Sequence, residues 1–390
     1  MSSRSLALAV LILTGVAVTQ TAPPKAVASP PVPPPNPTLI IKLTAEPRVS
    51  IPVPDENWPA ISAQCSPDGS PYVSTHLGGM DIAEFTHSGV VTFPANKVND
   101  VPEPHFADFF VSDSGVYVHV TGLENVHNEE LQFTDSITGK QHSEWVRRGE
   151  PRDYIAQFST DGSYKSAVKV DVPRFTAYQI AAFDSGNFLV AGVDDQKVPR
   201  IALLNPSGQI VKYIELPKDI TENSKSAQNV LKAWNVTTDI GAAALFAQFV
   251  PYRQNVLFIR SMMDTPIYEI RDGGEVHTIK VKPPSGYRMG SVIPSDRNWL
   301  IEFEKPIPGG DFGAAERRVD EVNPETGEFL HSFELAADSR TSTKMERGIS
   351  CWYQNTFSAI RYKQGQLTLY SGTVEAAKSA PAADGDHLPQ

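Results

Sequence analysis

The sequence predicts an all-β chain built from repeated four-stranded antiparallel units. Three observations lead to this prediction. The chain holds Pro 32 and Gly 26 among 390 residues, a level typical of loop-rich β folds and unusual in helical proteins. A hairpin pattern recurs along the chain, and a second, more apolar hairpin pattern precedes each copy of the first. The hydrophobic content of 41% is sufficient to bury a core.

The N-terminus has the features of a cleaved export signal. Arg4 supplies a positive start, and Leu6 to Val18 is an apolar run too short to span a bilayer. Ala26-Val27-Ala28 fits the small-x-small pattern that signal peptidase cleaves. We therefore predict a signal peptide at 1–28 and an exported protein, either periplasmic or extracellular, that keeps no integral membrane segment after cleavage. The alternative is an uncleaved anchor.

The folded domain is predicted to span 38–374. Before it, SPPVPPPNP at 29–37 forms an extended linker, because proline fixes φ and removes a backbone donor. After it, residues 375–390 are small, polar and aperiodic, which indicates a disordered tail.

The first hairpin pattern is an alternating strand, a tight turn containing glycine, and a second alternating strand. Glycine supplies the positive φ that such turns require. The turn glycines are Gly89, Gly162, Gly208, Gly274 and Gly327. Together with the preceding hairpin, each copy makes a four-stranded antiparallel unit. Repeated units of this size are typical of β-propellers, so we predict a six-bladed β-propeller.

The last unit lacks its outer strand. Its final strand, QLTLYSG at 366–372, has no following partner, whereas TLIIKLTAEP at 38–47 precedes the first unit and belongs to none. We expect the strand at 38–47 to join the last blade, close the ring and remove an open sheet edge. The alternative is a seven-bladed ring with a degenerate blade inside 121–153.

On these repeats, residues 38–374 resemble the six-bladed propellers of the NHL and related secreted families. The resemblance rests on the hairpin pattern, since the chain has no WD dipeptide and no kelch double glycine. It implies a closed disc with a central channel and does not imply a chemistry.

Charge and motifs restrict the classes of function. The formal net charge of -11 argues against nucleic-acid binding, which normally uses a basic face. No nucleophile elbow, Walker A loop or HExxH motif occurs. None of the nine histidines pairs with another at metal-ligand spacing, so no metal site is predicted. We expect a monomer.

The candidate ligand site lies on the loops that lead into the first strand of each unit. In a propeller these loops rim one mouth of the channel. They carry His105, Arg174, Arg288 and Arg347. Such a group would attract an anion, because a guanidinium donates two hydrogen bonds together to a carboxylate or phosphate. Tyr178 joins this set as a stacking surface. The alternative is that these side chains serve neighbouring loops and seams.

Three further segments are candidates for function. Asp194-Asp195 lies on a loop between second and third strands and is the basis for considering calcium, which needs six or more oxygens. A solvated polar turn is the alternative. The insertions 121–153 and 217–240 are expected to act as lids or partner surfaces on the same face, or to have drifted at tolerant loops.

The two cysteines indicate where the ring closes. Cys65 and Cys351 both fall on innermost strands, one in the first unit and one in the last. A closed ring makes these units neighbours, and an exported protein meets oxidising conditions. We predict a Cys65–Cys351 disulfide; two buried free thiols are the alternative.

These observations favour an exported binding module for a small anionic ligand or a protein partner. A propeller enzyme, either a metal-dependent hydrolase or a lyase, is the second interpretation. A structural scaffold of the cell envelope, attached through 121–153, is the third.

Overall fold

The computed structural model describes residues 38–43, 49–52, 61–75, 82–85, 90–94, 97–134, 138–196, 198–216, 247–260, 266–295, 297–306, 315–335, 349–353, 356–363 and 366–376. The predicted signal peptide, the linker, the insertion 217–240 and Arg347 lie outside these residues. Within the described ranges, no helix is long and apolar enough to cross a membrane.

The described elements are β-strands. In chain order they are β1 Thr38–Leu43, β2 Val49–Pro52, β3 Ile61–Cys65, β4 Pro71–Thr75, β5 Ile82–Phe85, β6 Val90–Phe93, β7 His105–Ser112, β8 Gly115–Thr134, β9 Gln141–Phe158, β10 Tyr164–Lys169, β11 Phe175–Ala182, β12 Phe188–Asp194, β13 Pro199–Leu204, β14 Ile210–Ile214, β15 Ala247–Tyr252, β16 Asn255–Arg260, β17 Ile267–Ile270, β18 Val276–Ile279, β19 Arg288–Pro294, β20 Trp299–Pro306, β21 Ala315–Val322, β22 Phe329–Leu335, β23 Ile349–Tyr353, β24 Thr356–Lys363 and β25 Gln366–Ala376.

Four sheets each contain four antiparallel strands that follow one another in the chain: sheet one (β3–β6), sheet two (β7–β10), sheet three (β11–β14) and sheet four (β15–β18). The next four strands, β19–β22, repeat this arrangement as part of a nine-stranded sheet that also holds β23, β24, β25, β1 and β2. The predicted unit of two successive hairpins is therefore confirmed.

The N-terminal strands complete the last unit. β1 pairs antiparallel with β25, where Leu39 lies opposite Ala376, and β2 pairs with the same strand nearer its start. β25 is the partner that the sequence predicts for 38–47. It continues to Ala376, past the expected domain boundary at 374. The sequence did not predict the second partner of β1, which is the parallel strand β22. Through β1, the fifth and sixth units share one sheet.

The described residues of the range 121–153, which omit 135–137, form neither a separate loop nor a hidden blade. They are the continuation of β8 and β9, which stay paired from Thr121–Asp153 to Thr134–Gln141. We call the part formed by 124–134 and 141–150 the arm. The buried half of β8 is strongly apolar (VYVHV), whereas the arm is charged and exposed. The seven-bladed alternative that placed a blade here is wrong.

The repeat glycines explain how adjacent units fit together. Gly162 and Gly208 both adopt the left-handed conformation, with φ of 81° and 82°. A side chain at Gly162 would collide with the carbonyl oxygen of Thr92 on the preceding sheet, and one at Gly208 with that of Lys169. The outer turn of each of these units thus rests on the outer strand of the unit before it. Only glycine satisfies both demands.

Hydrophobic clusters fill the seams between units. Sheets one and two share a cluster around Phe93, Phe109 and Phe158, and sheets two, three and four share one around Phe188. Trp299, fully buried, fills the seam between sheet four and β19–β22. Two smaller clusters join β19–β22 to β23–β25, and β24–β25 to sheet one.

The first strands of the units contact one another in cyclic order. β3 contacts β7, and the series continues through β11, β15, β19 and β23, which contacts β3 again. Near the centre, Nε2 of Gln64 donates to the carbonyl oxygen of Phe109 at 2.7 Å and reaches that of Phe249 at 3.5 Å.

The predicted disulfide is confirmed. Cys65 on β3 and Cys351 on β23 are bonded, with Cα atoms 5.5 Å apart and a sequence separation of 286. The alternative of two buried free thiols is therefore wrong.

Candidate functional site

The loops that lead into the first strands repeat a short motif. Asp100-Val101-Pro102-Glu103 precedes β7, and Asp171-Val172-Pro173-Arg174 precedes β11. In both copies the valine is buried. The last residue adopts the left-handed conformation, with φ of 50° at Glu103 and 53° at Arg174. A non-glycine residue rarely adopts this conformation, so the two loops have the same backbone path.

The strand registers show whether the predicted site residues hold the same position of the repeat. β7 has a bulge after Phe106 and β11 has one after Ala177. Counted from these bulges, Arg174 corresponds to Glu103, and His105 corresponds to Thr176. The predicted cations therefore do not share one position of the repeat. Both strands have a bulge at the same place, so the strand registers agree with the repeated motif, in which Glu103 and Arg174 hold the last position.

Each described arginine of the predicted set has a carboxylate partner. Arg174, with 82% of its side chain exposed, lies 3.3 Å from Asp195. Arg288, which is mostly buried, lies 3.7 Å from Glu304, and Arg317 approaches the same carboxylate. Their charges are thus partly compensated.

The other predicted site residues differ in their surroundings. His105 is exposed at the start of β7, and Tyr178 is half-buried at the bulge of β11. Arg347 falls outside the described residues. No hydrogen bond or ion pair within the described part of the chain joins His105, Arg174, Tyr178 and Arg288 to one another. Their joint role in binding stays a prediction.

The acidic pair considered for calcium is engaged inside the protein. Oδ1 of Asp194 accepts the backbone N–H groups of Gln196 and Val198 at 3.0 and 2.9 Å. The bond from Val198, the largest influence, helps to hold the pKa of Asp194 below its usual range. Asp195 faces Arg174. Across the described ranges, no group of three or more His, Cys, Asp or Glu residues is arranged to hold a metal ion.

A histidine and two aspartates meet where sheet two faces sheet three. Nε2–H of His119 on β8 donates to Oδ1 of Asp153 on β9 at 2.8 Å. Asp108 lies across the strand pair from His119. His119 is 1% exposed, and its Nδ1 has no hydrogen-bond partner among the described residues.

The two aspartates also bind the next sheet. Oδ2 of Asp108 accepts the backbone N–H of Ile180 at 3.3 Å, and Oδ2 of Asp153 accepts that of Ala177 at 3.1 Å. These two donors flank the bulge in β11. Burial, the largest effect, raises the pKa of Asp108 to about 6, against the lowering effects of His119 and the backbone donors. The cluster therefore combines a carboxyl group that titrates near neutrality with an enclosed imidazole.

Other units carry polar residues at the same level. Counted from the turn that joins the first two strands, His119 corresponds to Ser74 in sheet one and to Glu302 in β20. All three are buried. Ser291, next to Glu302, donates its hydroxyl to that carboxylate at 3.1 Å. A polar layer thus crosses at least three units at one depth, although their other inner strand positions are mainly apolar.

The sequence pattern did not reveal this cluster. In FADFFVSDSGVYVHV, His119 occupies an inward position of an alternating strand and reads as an ordinary core residue. The available signal was the pairing of an aspartate and a histidine across one hairpin, both at positions where the repeat is apolar. The turn between Ser112 and Gly115 alone sets this pairing, because the bulge after Phe106 lies beyond Asp108.

The opposite mouth carries a small recess that the sequence did not predict. It is formed by the turns that join first and second strands, and its lining includes Pro67, Ser112, Asp184, Arg253 and Gln254. Its cavity volume of about 10 Å³ is roughly the space for one water molecule. This recess is too small to enclose an organic ligand.

Comparisons with known proteins give fold-level likenesses. No family model matches the sequence, and no curated protein matches it either. Among solved structures, the chain is similar to a streptogramin B lyase, at 13% identity and a TM-score of 0.40, over 86% of this chain and 98% of that one. It is also similar to a putative TolB from Agrobacterium tumefaciens (12% identity, TM-score 0.36, 70% and 80% covered). A third likeness is to the Dos1 propeller, at 9% identity and a TM-score of 0.38, over 84% of this chain and 95% of that one. The assignment as a β-propeller rests on the sheets and on the contacts of the first strands.

Proposed function

We propose that the chain is an exported six-bladed β-propeller that acts as a binding module, with a site for an anionic ligand on the face carrying the loops into the first strands. The proposal rests on the conformation and exposure of Arg174. Its left-handed backbone conformation holds a largely exposed guanidinium at this face, and strained residues concentrate at functional sites.

Six blades in a closed ring agree with the contacts between units. Hydrophobic clusters occupy the seam between the last and the first unit as well as the seams between chain neighbours. The disulfide joins the same two units. The N-terminal strands pair with β25 and leave the last unit with an outer strand. Together these contacts support closure at the seam between β3 and β23.

Export is supported by two independent features. The N-terminal sequence carries an apolar run followed by a small-x-small site. Both cysteines of the chain are oxidised, as expected in an oxidising compartment.

The contact between Arg174 and Asp195 suggests how a ligand is recognised. The ion pair is exposed, and exposed pairs contribute little to stability. A carboxylate or phosphate of a ligand replaces Asp195 beside the guanidinium and receives two hydrogen bonds. His105 and the half-buried Tyr178 supply further contacts on the same face.

Two substitutions with opposite effects test this proposal. Calorimetric titration with inorganic phosphate and with citrate should show binding to the wild type and a roughly tenfold weaker affinity for Arg174→Ala. Asp195→Asn should tighten binding, since it removes the competing carboxylate. Arg271→Ala, which removes an exposed arginine on the turn between β17 and β18, is the matched control. Equal affinities for all four proteins would contradict the site.

A second candidate function is that of a propeller hydrolase or lyase. It is favoured by the Asp108–His119–Asp153 cluster, because a carboxyl group with a pKa of about 6 suits acid–base chemistry. An esterase and lyase substrate panel compared between wild type and Asp108→Asn tests it. Turnover that disappears in the variant while the fold is retained would favour the enzyme over the binding module.

A further inference from the structure

The arm extends well beyond its sheet. β10 pairs with β9 between Tyr154 and Phe158, so β9 from Gln141 to Glu150 has β8 as its one neighbouring strand within the described part of the chain. Ten extended residues span roughly 30 Å. Two-stranded hairpins are marginally stable in water on their own. An arm of this length therefore needs an additional contact.

The outer edge of β9 in the arm is open to another strand. The stretch QHSEWVRRGE contains no lysine or proline, residues that usually block edge pairing, and Pro151 follows directly after it. Trp145 within this stretch is 68% exposed. Exposed tryptophan is uncommon away from binding surfaces.

The sequence of this edge is complementary to itself. When two copies pair antiparallel about Val146, each Glu144 lies opposite Arg148 of the second copy. In the same register each Trp145 lies opposite Arg147, a geometry suited to cation–π contact. His142 lies opposite Glu150. All these pairs occur twice, because a twofold axis relates the copies.

Neighbouring registers lack this complementarity. Centring the pair on Arg147 sets that arginine against itself, and centring it on Trp145 creates no pair of opposite charges within 141–150. The other edge of the arm, β8, carries Glu129 and Glu130 without a lysine or arginine between 124 and 134. Pairing two β8 edges about either glutamate sets like charges opposite each other, which is unfavourable.

The contacts within one chain leave this edge available. Arg148 lies 3.2 Å from Glu129, with about half of each side chain exposed. Arg147 forms an ion pair with Glu103 and is 62% exposed. Exposed pairs of this kind are weak and can share a further carboxylate or aromatic partner.

We propose that the arm is a homodimerisation element, in which the β9 edges of two copies of this chain pair antiparallel about Val146. Four strands, two from each copy, then form one continuous sheet between the two propellers. The proposal is independent of the anion site, and it replaces the monomer expected from the sequence.

Charge reversal tests both the dimer and its register. Sedimentation equilibrium of the wild type at micromolar concentrations should show a dimer. Glu144→Arg sets two arginines opposite each other, and Arg148→Glu sets two glutamates opposite each other. Each single variant should weaken the dimer about tenfold or more. Lys165→Glu, a reversal on exposed β10 outside the arm, should leave association unchanged.

Mixing the two single variants gives the sharpest test. In a heterodimer of Glu144→Arg with Arg148→Glu, both cross-strand pairs are again opposite in charge, so association should return. Its return also shows that both variants are folded. A wild type that sediments as a monomer at every concentration would overturn the proposal. Single variants that dimerise like the wild type, or a mixture that stays monomeric, would also overturn it.

Discussion

Two seams of this propeller are held in different ways. At the seam between β3 and β23, a disulfide and an apolar cluster join residues 286 positions apart in the chain. At the seam between sheets two and three, Asp108 and Asp153 accept backbone N–H groups from β11, over separations of 72 and 24 residues. The seam that joins the two ends of the chain has a covalent bond, and the seam between chain neighbours uses ionisable hydrogen-bond acceptors. Chain connectivity already keeps neighbouring units close. A covalent link therefore stabilises most at the seam whose residues are far apart in sequence, because it closes the longer loop of the unfolded chain.

The largest expected effect is the loss of the disulfide. Reduction, or the pair Cys65→Ala and Cys351→Ala, should lower the free energy of unfolding by up to about 5 kcal/mol, because the cross-link restricts the unfolded chain. Urea unfolding with and without reductant measures it. The double variant should be insensitive to reductant. Equal stability of the reduced and oxidised wild type would show that the apolar cluster alone holds this seam.

Loss of the central acceptor at the polar seam should have the next largest effect. Asp153→Ala removes the partner of His119 and of the Ala177 N–H, so two buried donors lose their acceptor. We expect a loss of about 3 kcal/mol. Glu150→Ala, on the exposed part of the same strand, is the control and should change stability by less than about 0.5 kcal/mol. A loss at Asp153 no larger than in this control would mean that the polar contacts are not needed there.

The polar seam should also respond to pH, in a direction set by Asp108. Its folded-state pKa of about 6 lies above the ordinary value of 3.8. The folded protein therefore binds this proton at higher pH than the unfolded chain, and the contribution of Asp108 to stability grows as pH falls from about 6 to about 4. Asp108→Asn keeps the acceptor for Ile180 without the charge. At pH 7 the variant should be more stable than wild type, by at most about 3 kcal/mol.

Unfolding curves of wild type and Asp108→Asn across this pH range provide the measurement. The difference between the two proteins should shrink toward acidic pH, because a protonated Asp108 resembles the amide. A difference that stays constant with pH, or that grows on acidification, would show that Asp108 does not titrate in this window.

The smallest expected effect is that of Arg174→Ala on stability. Its guanidinium is 82% exposed and its ion pair with Asp195 measures 3.3 Å. We expect a change of less than about 0.5 kcal/mol in thermal unfolding. A loss above about 1 kcal/mol would mean that the arginine stabilises the loop into β11 and is not held there for a ligand.

Sequence reasoning reached the features that depend on strand pattern. Alternation and glycine turns identified the hairpins, and the missing outer strand pointed to 38–47 as a partner of β25. Placing Cys65 and Cys351 on first strands of the outermost units led directly to the disulfide.

Sequence reasoning did not predict the features that depend on how the strands pair. Arg174 was grouped with His105 because both precede a first strand, although the strand registers match Arg174 to Glu103. His119 looked like a core residue because its aspartate partners come from two other strands. The arm was taken as an insertion, because its charged residues hide the continuing pairing of β8 and β9.

The double pairing of β1 has a consequence for how the chain acquires its structure. The strand at 38–43 leaves the ribosome early, yet its partners end at Leu335 and Ala376. It must wait without either partner strand until almost the whole chain has been made, because contacts this distant in sequence form late. During that wait the outer edges of β22 and β25 are exposed to pairing with other chains. The order of synthesis thus makes the first strand the last one to be placed.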